Sequence, residues 1–145
     1  MDQASWQAVR NWANQNPQRV PELVRANPRV IFFKEDSQTD ANVGPNGAQG
    51  VPLTAGRSVA VDKDAVPLGA ALWIDSTVPQ PWSLTPAVPQ PLQRIVMAQD
   101  TGSAIQGAVR ADFFWGAGDD ALAQAGRTKQ PLSAWVLWPV NGSAR

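Results

Sequence analysis

The chain has 145 residues, 43% hydrophobic and 17% charged, with twelve basic side chains balancing twelve acidic ones. That composition supports one globular core, and the cancelled charge leaves no net field to draw the chain to nucleic acid or anionic lipid. Neither cysteine nor histidine occurs. Disulfides and the usual zinc sites are therefore excluded, no metal or organic cofactor is expected, and acid–base chemistry near neutrality falls to carboxylates.

Residues 5–14 (SWQAVRNWAN) set Trp6, Val9 and Ala13 on one helical stripe. Asn16-Pro17 then reads as an N-cap followed by a first-turn proline, and Val20, Leu23 and Val24 continue an apolar face until Asn27-Pro28 closes it. Beyond residue 28 the texture changes to short β-type runs bounded by glycine, proline or polar residues: Val30–Phe33, Val51–Leu53, Ser58–Val61, Ala71–Ile74, Gln93–Ala98, Val109–Trp115 and Ser133–Val140. One helical stretch, Asp119–Lys129, interrupts them, with Asp119 as cap or first-turn acid and Arg127 and Lys129 near its negative end. The pattern predicts a mainly β fold, a small barrel or α+β arrangement. Two long loops stand out. Residues 34–50 carry Gly44-Pro45-Asn46-Gly47, and residues 76–91 hold five prolines and read as an insertion between two paired strands. No run is long and apolar enough to span a membrane, and Met1-Asp2-Gln3 opens no signal peptide.

Three aspartates stand at the edges of apolar runs: Asp62 in SVAVDKDAVPLG, Asp100 in IVMAQDTGSAIQG and Asp112 in AVRADFFWG. If they meet in space, like charge and partial burial raise the pKa of one of them and fit it to protonate a leaving oxygen. Asp112, inside its apolar run, is the least expected place for an unpaired carboxylate and so the leading candidate. Asp62 taken alone reads as the cap of the turn into Lys63-Asp64, and Arg110 as a solvated arginine within reach of a peptide carboxylate. Asp100-Thr101-Gly102 is the triplet of aspartic proteases, but those enzymes need two, and one triplet this late in a chain is a weak signal. Seven tryptophans without a tyrosine are expected mostly in the core, with Trp115, beside a candidate carboxylate, placed to touch ligand.

The longer strings GVPLTAGRSVAVDKDAVPLGAALWID and VMAQDTGSAIQGAVRADFFWGAGDDALAQAGRTKQPLSAWVLWP resemble the C-terminal "3D" part of the MltA family of lytic murein transglycosylases. Its three aspartates match Asp62, Asp100 and Asp112, and the segment SWQAVRNWANQNPQRVPELVRANPRVIFFKE resembles the stretch preceding that part. The resemblance implies a double-psi β-barrel with a short N-terminal helical segment and one further helix. Residues 1–28 would form a helical lead-in and residues 29–145 the barrel, within a longer two-domain protein.

It also implies cleavage of the β-1,4 bond between N-acetylmuramic acid and N-acetylglucosamine in peptidoglycan. The muramyl C6 hydroxyl displaces the leaving sugar and a 1,6-anhydro end remains. Asp112 would be the acid/base, with Asp62 and Asp100 positioning it and sharing its proton where hydrogen-bonded to it. Thr101, Gly102, Ser103, Gln106 and Trp115 would contact the glycan, Ser103 and Gln106 standing where the family often has glycine and lysine. The implied partner is a peptidoglycan strand, the implied protein a monomer, and the implied location the periplasm or outer membrane. A non-catalytic glycan-binding module on the same barrel is the alternative, and a hydrolase a third reading.

Overall fold

The computed structural model describes residues 6–28, 32, 43–81 and 88–140. The expected strand at Val30–Phe33 (Phe32 apart), residues 34–42 of the first long loop and Trp82 in the second lie outside the described residues. The chain divides into two compact units, Met1–Ser37 and Gln38–Arg145.

The first unit contains helix α1 (Trp6–Gln15), a 3-10 turn (Pro17–Arg19) and helix α2 (Val20–Ala26). Asn16 does not cap the second helix as its sequence suggests. Its side-chain amide and its backbone N–H both donate to the Trp12 carbonyl, each at 2.9 Å, and close α1. Pro17 opens the 3-10 turn and Pro21 sits in the first turn of α2, where a missing N–H costs no hydrogen bond. Arg19 lies 5.4 Å over the Trp12 ring and also pairs with Glu22; an exposed pair of this kind contributes at most about 1 kcal/mol.

The second unit is one five-stranded sheet: β1 (Ser58–Val61), β2 (Ala71–Thr77), β3 (Pro91–Thr101), β4 (Ala111–Phe113) and β5 (Ser133–Leu137), in the spatial order β4-β1-β3-β2-β5. The β1–β3 pair is parallel and the other pairs antiparallel. Helix α3 (Asp119–Ala125) lies between β4 and β5 in the chain. Gly118 is its N-cap, with Asp119 and Asp120 in the first turn beside the positive end of the helix dipole. The helix stops at Gly126, short of Arg127 and Lys129. Alternation along the strands puts Val59, Val61, Leu72, Ile74, Val96 and Ala98 into one buried cluster, with Ala111 and Phe113 packed against it.

A mainly β fold is found, closure of the barrel is not seen, and two expectations are corrected. The sheet is open: β4 and β5 are its two edges, and among the described residues nothing pairs them into a closed barrel. Val51–Leu53 is not a strand but part of a turn holding one isolated bridge, Asn46 to Pro52, because proline gives no second ladder donor there. Trp135 and Trp138 are more than half exposed rather than in the core, and Trp73, paired directly with Trp135, is also exposed. The proline-rich segment does join two paired strands. Thr77 faces Pro91 at the last register position, and the Val78 N–H extends the ladder to the Gln90 carbonyl at 2.9 Å.

Replacing Leu72, which is 3% exposed in a strand with neighbours on both sides, by alanine is expected to destabilise the sheet by about 2–5 kcal/mol. A lowered urea midpoint with an unchanged slope would register it. Gly47→Ala is expected to dislodge the turn at residues 44–50, since a Cβ there would collide with the Gln99 carbonyl oxygen and the Leu53 side chain. Faster amide exchange at Ala48 and Gln49, with the β2–β3 ladder still protected, is the signature.

Candidate functional site

One irregularity in the sheet decides where the aspartates lie. Ser58 pairs with Met97 and Val59 with Ala98, but Ala60 pairs with Asp100, leaving Gln99 as an extra residue on β3. Such a bulge moves the following side chain to the other face of the sheet. In unbroken register Asp100 would sit opposite Val61, in the core row. With the bulge it falls opposite Ala60. On the other side of β1, Ala60 pairs with Asp112. Asp100 and Asp112 therefore flank one small residue, their backbones about two strand spacings, ~10 Å, apart. Asp62 follows β1, two residues beyond Ala60.

The bulge is held by a short network. The buried Ser58 hydroxyl donates to the Gln99 side-chain oxygen and accepts from the Thr54 N–H at 2.8 Å. The Gln49 N–H donates to the Gln99 carbonyl at 3.0 Å, and the next amide upstream, Ala48 N–H, donates to Asp100 Oδ1 at 3.0 Å. Gly47 permits this close approach.

Each carboxylate is held differently. Asp62 accepts the Gly107 N–H on Oδ2 at 2.7 Å and the Asp64 N–H on Oδ1 at 3.0 Å. The turn-capping reading of Asp62 is thus correct and incomplete, because it also ties down the loop after β3, where Gly107 at φ 88° turns its amide inward. The Gly107 amide first, then the Asp64 amide, hold the Asp62 carboxyl below its ordinary range; partial burial opposes them and Lys63 adds to them.

Asp112 is forked by Arg110, Nε to Oδ1 at 3.2 Å and Nη2 to Oδ2 at 3.3 Å, both side chains about half exposed. Arg110 Nη1 also donates to the Ala104 carbonyl at 2.7 Å, so one guanidinium joins Asp112 to the loop that Asp62 anchors. Among the described residues no hydrogen bond links any two of the three aspartates, and no group of acidic side chains is close enough to hold a metal ion. They surround Ala60 without sharing a proton, and Asp112 is paired rather than unpaired.

Two recesses open here. One, of about 500 Å³, is lined by Asp62, Thr101, Gly102, Ser103, Ile105 and Gln106, gathering five of the residues singled out in the sequence. Within it the Thr101 hydroxyl is committed to the Val61 carbonyl at 2.8 Å, Gly102 packs against Ile105, and Ser103 and Gln106 are exposed. The other, of about 510 Å³, is lined by Arg110, Asp112, Phe113, Trp115, Thr128 and Lys129 among others. Trp115 is fixed there, its ring 4.6 Å from Phe113 and its indole N–H donating to the Thr128 hydroxyl at 2.9 Å. Asp100 lines neither recess and is bonded to Ala48. Sequence reading passed over Ala48 and Gly107, which act through backbone amides, and took Arg110 as solvated. The i, i+2 spacing of Arg110 and Asp112 on a strand, which puts both on one face, was the available signal.

Known proteins resemble this chain in sequence and in fold. Residues 57–138 match the model of the 3D domain, and residues 1–34 that of the MltA specific insert domain. The chain is 33% identical over 140 residues to the membrane-bound lytic murein transglycosylase A of Escherichia coli (strain K12), an alignment covering 96% of this chain and 36% of that protein. A lytic transglycosylase of Burkholderia pseudomallei, LtgG, is 50% identical with a TM-score of 0.62, covering 97% of this chain and 39% of the other. The E. coli MltA crystal structure with bound chitohexaose is 31% identical with a TM-score of 0.70, covering 90% and 38%. The chain thus spans little more than a third of the length of each. On the match of its sheet to the 3D domain, and of nearly its whole length to these relatives, it belongs to the MltA family of lytic murein transglycosylases.

Proposed function

We propose that this chain carries the acid/base carboxylate of a lytic transglycosylase that cleaves the β-1,4 bond between N-acetylmuramic acid and N-acetylglucosamine without water. The observation that carries the reading is the convergence of Asp100 and Asp112 on Ala60, with Asp62 just beyond. Family membership and the chitohexaose bound to the E. coli relative support it. The open sheet is read as part of a double-psi barrel. The relatives' name, membrane-bound, supports a location at the outer membrane or in the periplasm, although no described helix is long and apolar enough to cross a membrane.

Chemically, Asp62 is the weakest candidate for the acid. Two amides stabilise its charged form, so it is an anion at any working pH. Its fixed negative charge suits it to face the positive charge that develops at the anomeric carbon. Asp112 borders the recess that also holds Trp115 and is held only by a side chain that can move. It gives a proton to the glycosidic oxygen as the bond from the anomeric carbon breaks. Its carboxylate then takes the proton of the muramyl C6 hydroxyl as that oxygen closes on the same carbon. One group completes both transfers because the nucleophile belongs to the substrate, and the product is a 1,6-anhydro end. An Asp112 oxygen freed from one contact of the Arg110 fork is the more open to the glycosidic oxygen. That fork is also the observation that favours the alternative, a glycan-binding module that retains the cleft without turnover.

Digestion of purified murein sacculi followed by mass spectrometry is expected to yield anhydro-muropeptides, and Asp112→Asn to remove them while glycan binding persists. Reducing ends one water heavier would show a hydrolase, and no product from either protein would favour the binding module. For Asp62 the sign is fixed by its depressed folded pKa. Its contribution to stability is complete above the unfolded aspartate value of about 3.9 and is lost as pH falls through the lower folded value. In Asp62→Asn this acid-side loss is expected to flatten and Gly107 amide exchange to quicken, as followed by NMR across pH 2–5 (roughly the carboxylate range).

A further inference from the structure

The cleft that contains Asp112 carries more positive charge than its own carboxylate uses. Arg110 and Lys129 both line it. Arg110 commits three N–H groups, two to Asp112 and one to Ala104. A guanidinium has five, so two remain. Among the described residues the Lys129 ammonium has no carboxylate partner, although the Lys129 backbone is fixed by its N–H donating to the Gln130 side-chain oxygen at 2.9 Å. Phe113 and the Thr128-anchored Trp115 give the cleft an aromatic patch, and Thr128 and Gln130 add polar groups to its lining. A neutral sugar offers these cations only hydroxyl and amide oxygens, which accept without balancing their charge. A surplus cation there suits a ligand that brings its own anion.

We propose that Arg110 and Lys129 form a carboxylate-binding subsite in the Asp112 cleft, recognising the acid group that an N-acetylmuramyl residue carries and an N-acetylglucosamine residue lacks. The inference rests on the glycan-cleaving reading given above and specifies which sugar that cleft selects. In a peptide-free strand the anion is the lactyl carboxylate itself. In a peptide-bearing strand that group is an amide, and the anions are those of the peptide. A carboxylate offered to the two remaining Arg110 N–H groups shares the guanidinium charge with Asp112 and weakens its hold. Occupation of the subsite therefore loosens the fork on Asp112, and recognition of the acidic sugar is coupled to release of Asp112.

The test is binding of the full chain to four probes at low and high salt: a chitooligosaccharide, peptide-free glycan strands, the same strands with the carboxyl groups reduced to alcohols, and peptide-bearing strands. The subsite predicts that peptide-free strands bind about three- to fivefold tighter than their carboxyl-reduced form, as expected for one exposed ion pair. Salt should erase that margin while leaving the chitooligosaccharide affinity in place. Lys129→Gln should shrink the margin, and Lys129→Arg should restore it. If peptide-bearing strands alone bind tighter than the carboxyl-reduced strands, and salt erases the difference, the anion recognised is a peptide carboxylate and the subsite stands. If intact, carboxyl-reduced and peptide-bearing strands all bind equally at low salt, the subsite is refuted while the glycan-binding reading survives. If no probe binds, both fall.

Discussion

The extra residue at Gln99 governs the chemistry of this sheet. Parallel β1 and β3 bury Val59, Val61, Val96 and Ala98 on one face, and the period of two along each strand would send Asp100 to that same face. A carboxylate there would enter an apolar cluster with nothing to pair it. One unpaired residue reverses the parity and sets Asp100 beside Ala60, opposite Asp112. Ala60 itself matters because it is small, leaving room between the flanking acids. Ser58, Thr54 and the turn carrying Gly47, Ala48 and Gln49 bond the bulge in place, so core packing and the position of a functional carboxylate depend on one local distortion.

The means of holding each carboxylate bear on what it can do. Backbone amides grip Asp62, and amides of a folded turn and loop are oriented once by folding and cannot swing away without unfolding the loop. Such a group is a fixed charge. Asp112 is gripped by a half-exposed arginine, whose rotamers can release it at little cost. A group that must alternately hold and surrender a proton is better served by the second arrangement. Arg110 also reaches the carbonyl of Ala104, in the loop whose end Asp62 anchors, so the two carboxylates communicate through a shared loop rather than through a shared proton.

Toward β5 the sheet loses its cover. Every residue of that strand is exposed, and the row Ile95, Trp73 and Trp135 crosses three strands on the face away from the buried cluster. The wide apolar surface and the packed cluster share a single sheet, and the candidate site lies toward the opposite edge, where β1 runs between β3 and β4. Placement beside the buried cluster gives the carboxylates a rigid foundation, as a positioned acid requires.

Amino-acid order by itself determined what depends on near neighbours. Alternation marked β1, β2 and β3, the 3.6-residue stripe marked α1, the pairing of strands across the proline-rich insert was legible from its punctuation, and the want of histidine and cysteine left carboxylates as the candidates for acid–base chemistry near neutrality. Tertiary structure alone decided the bulge at Gln99, the amides that fix Asp62 and Asp100, and the exposure of Trp73, Trp135 and Trp138. The contacts that set the carboxylates join residues 45 and 52 positions apart, Gly107 to Asp62 and Ala48 to Asp100. A backbone N–H belongs to nearly every residue and so leaves no mark in the amino-acid order. Only folding shows which of these donors arrive at a carboxylate, and whether a sheet face finds a partner.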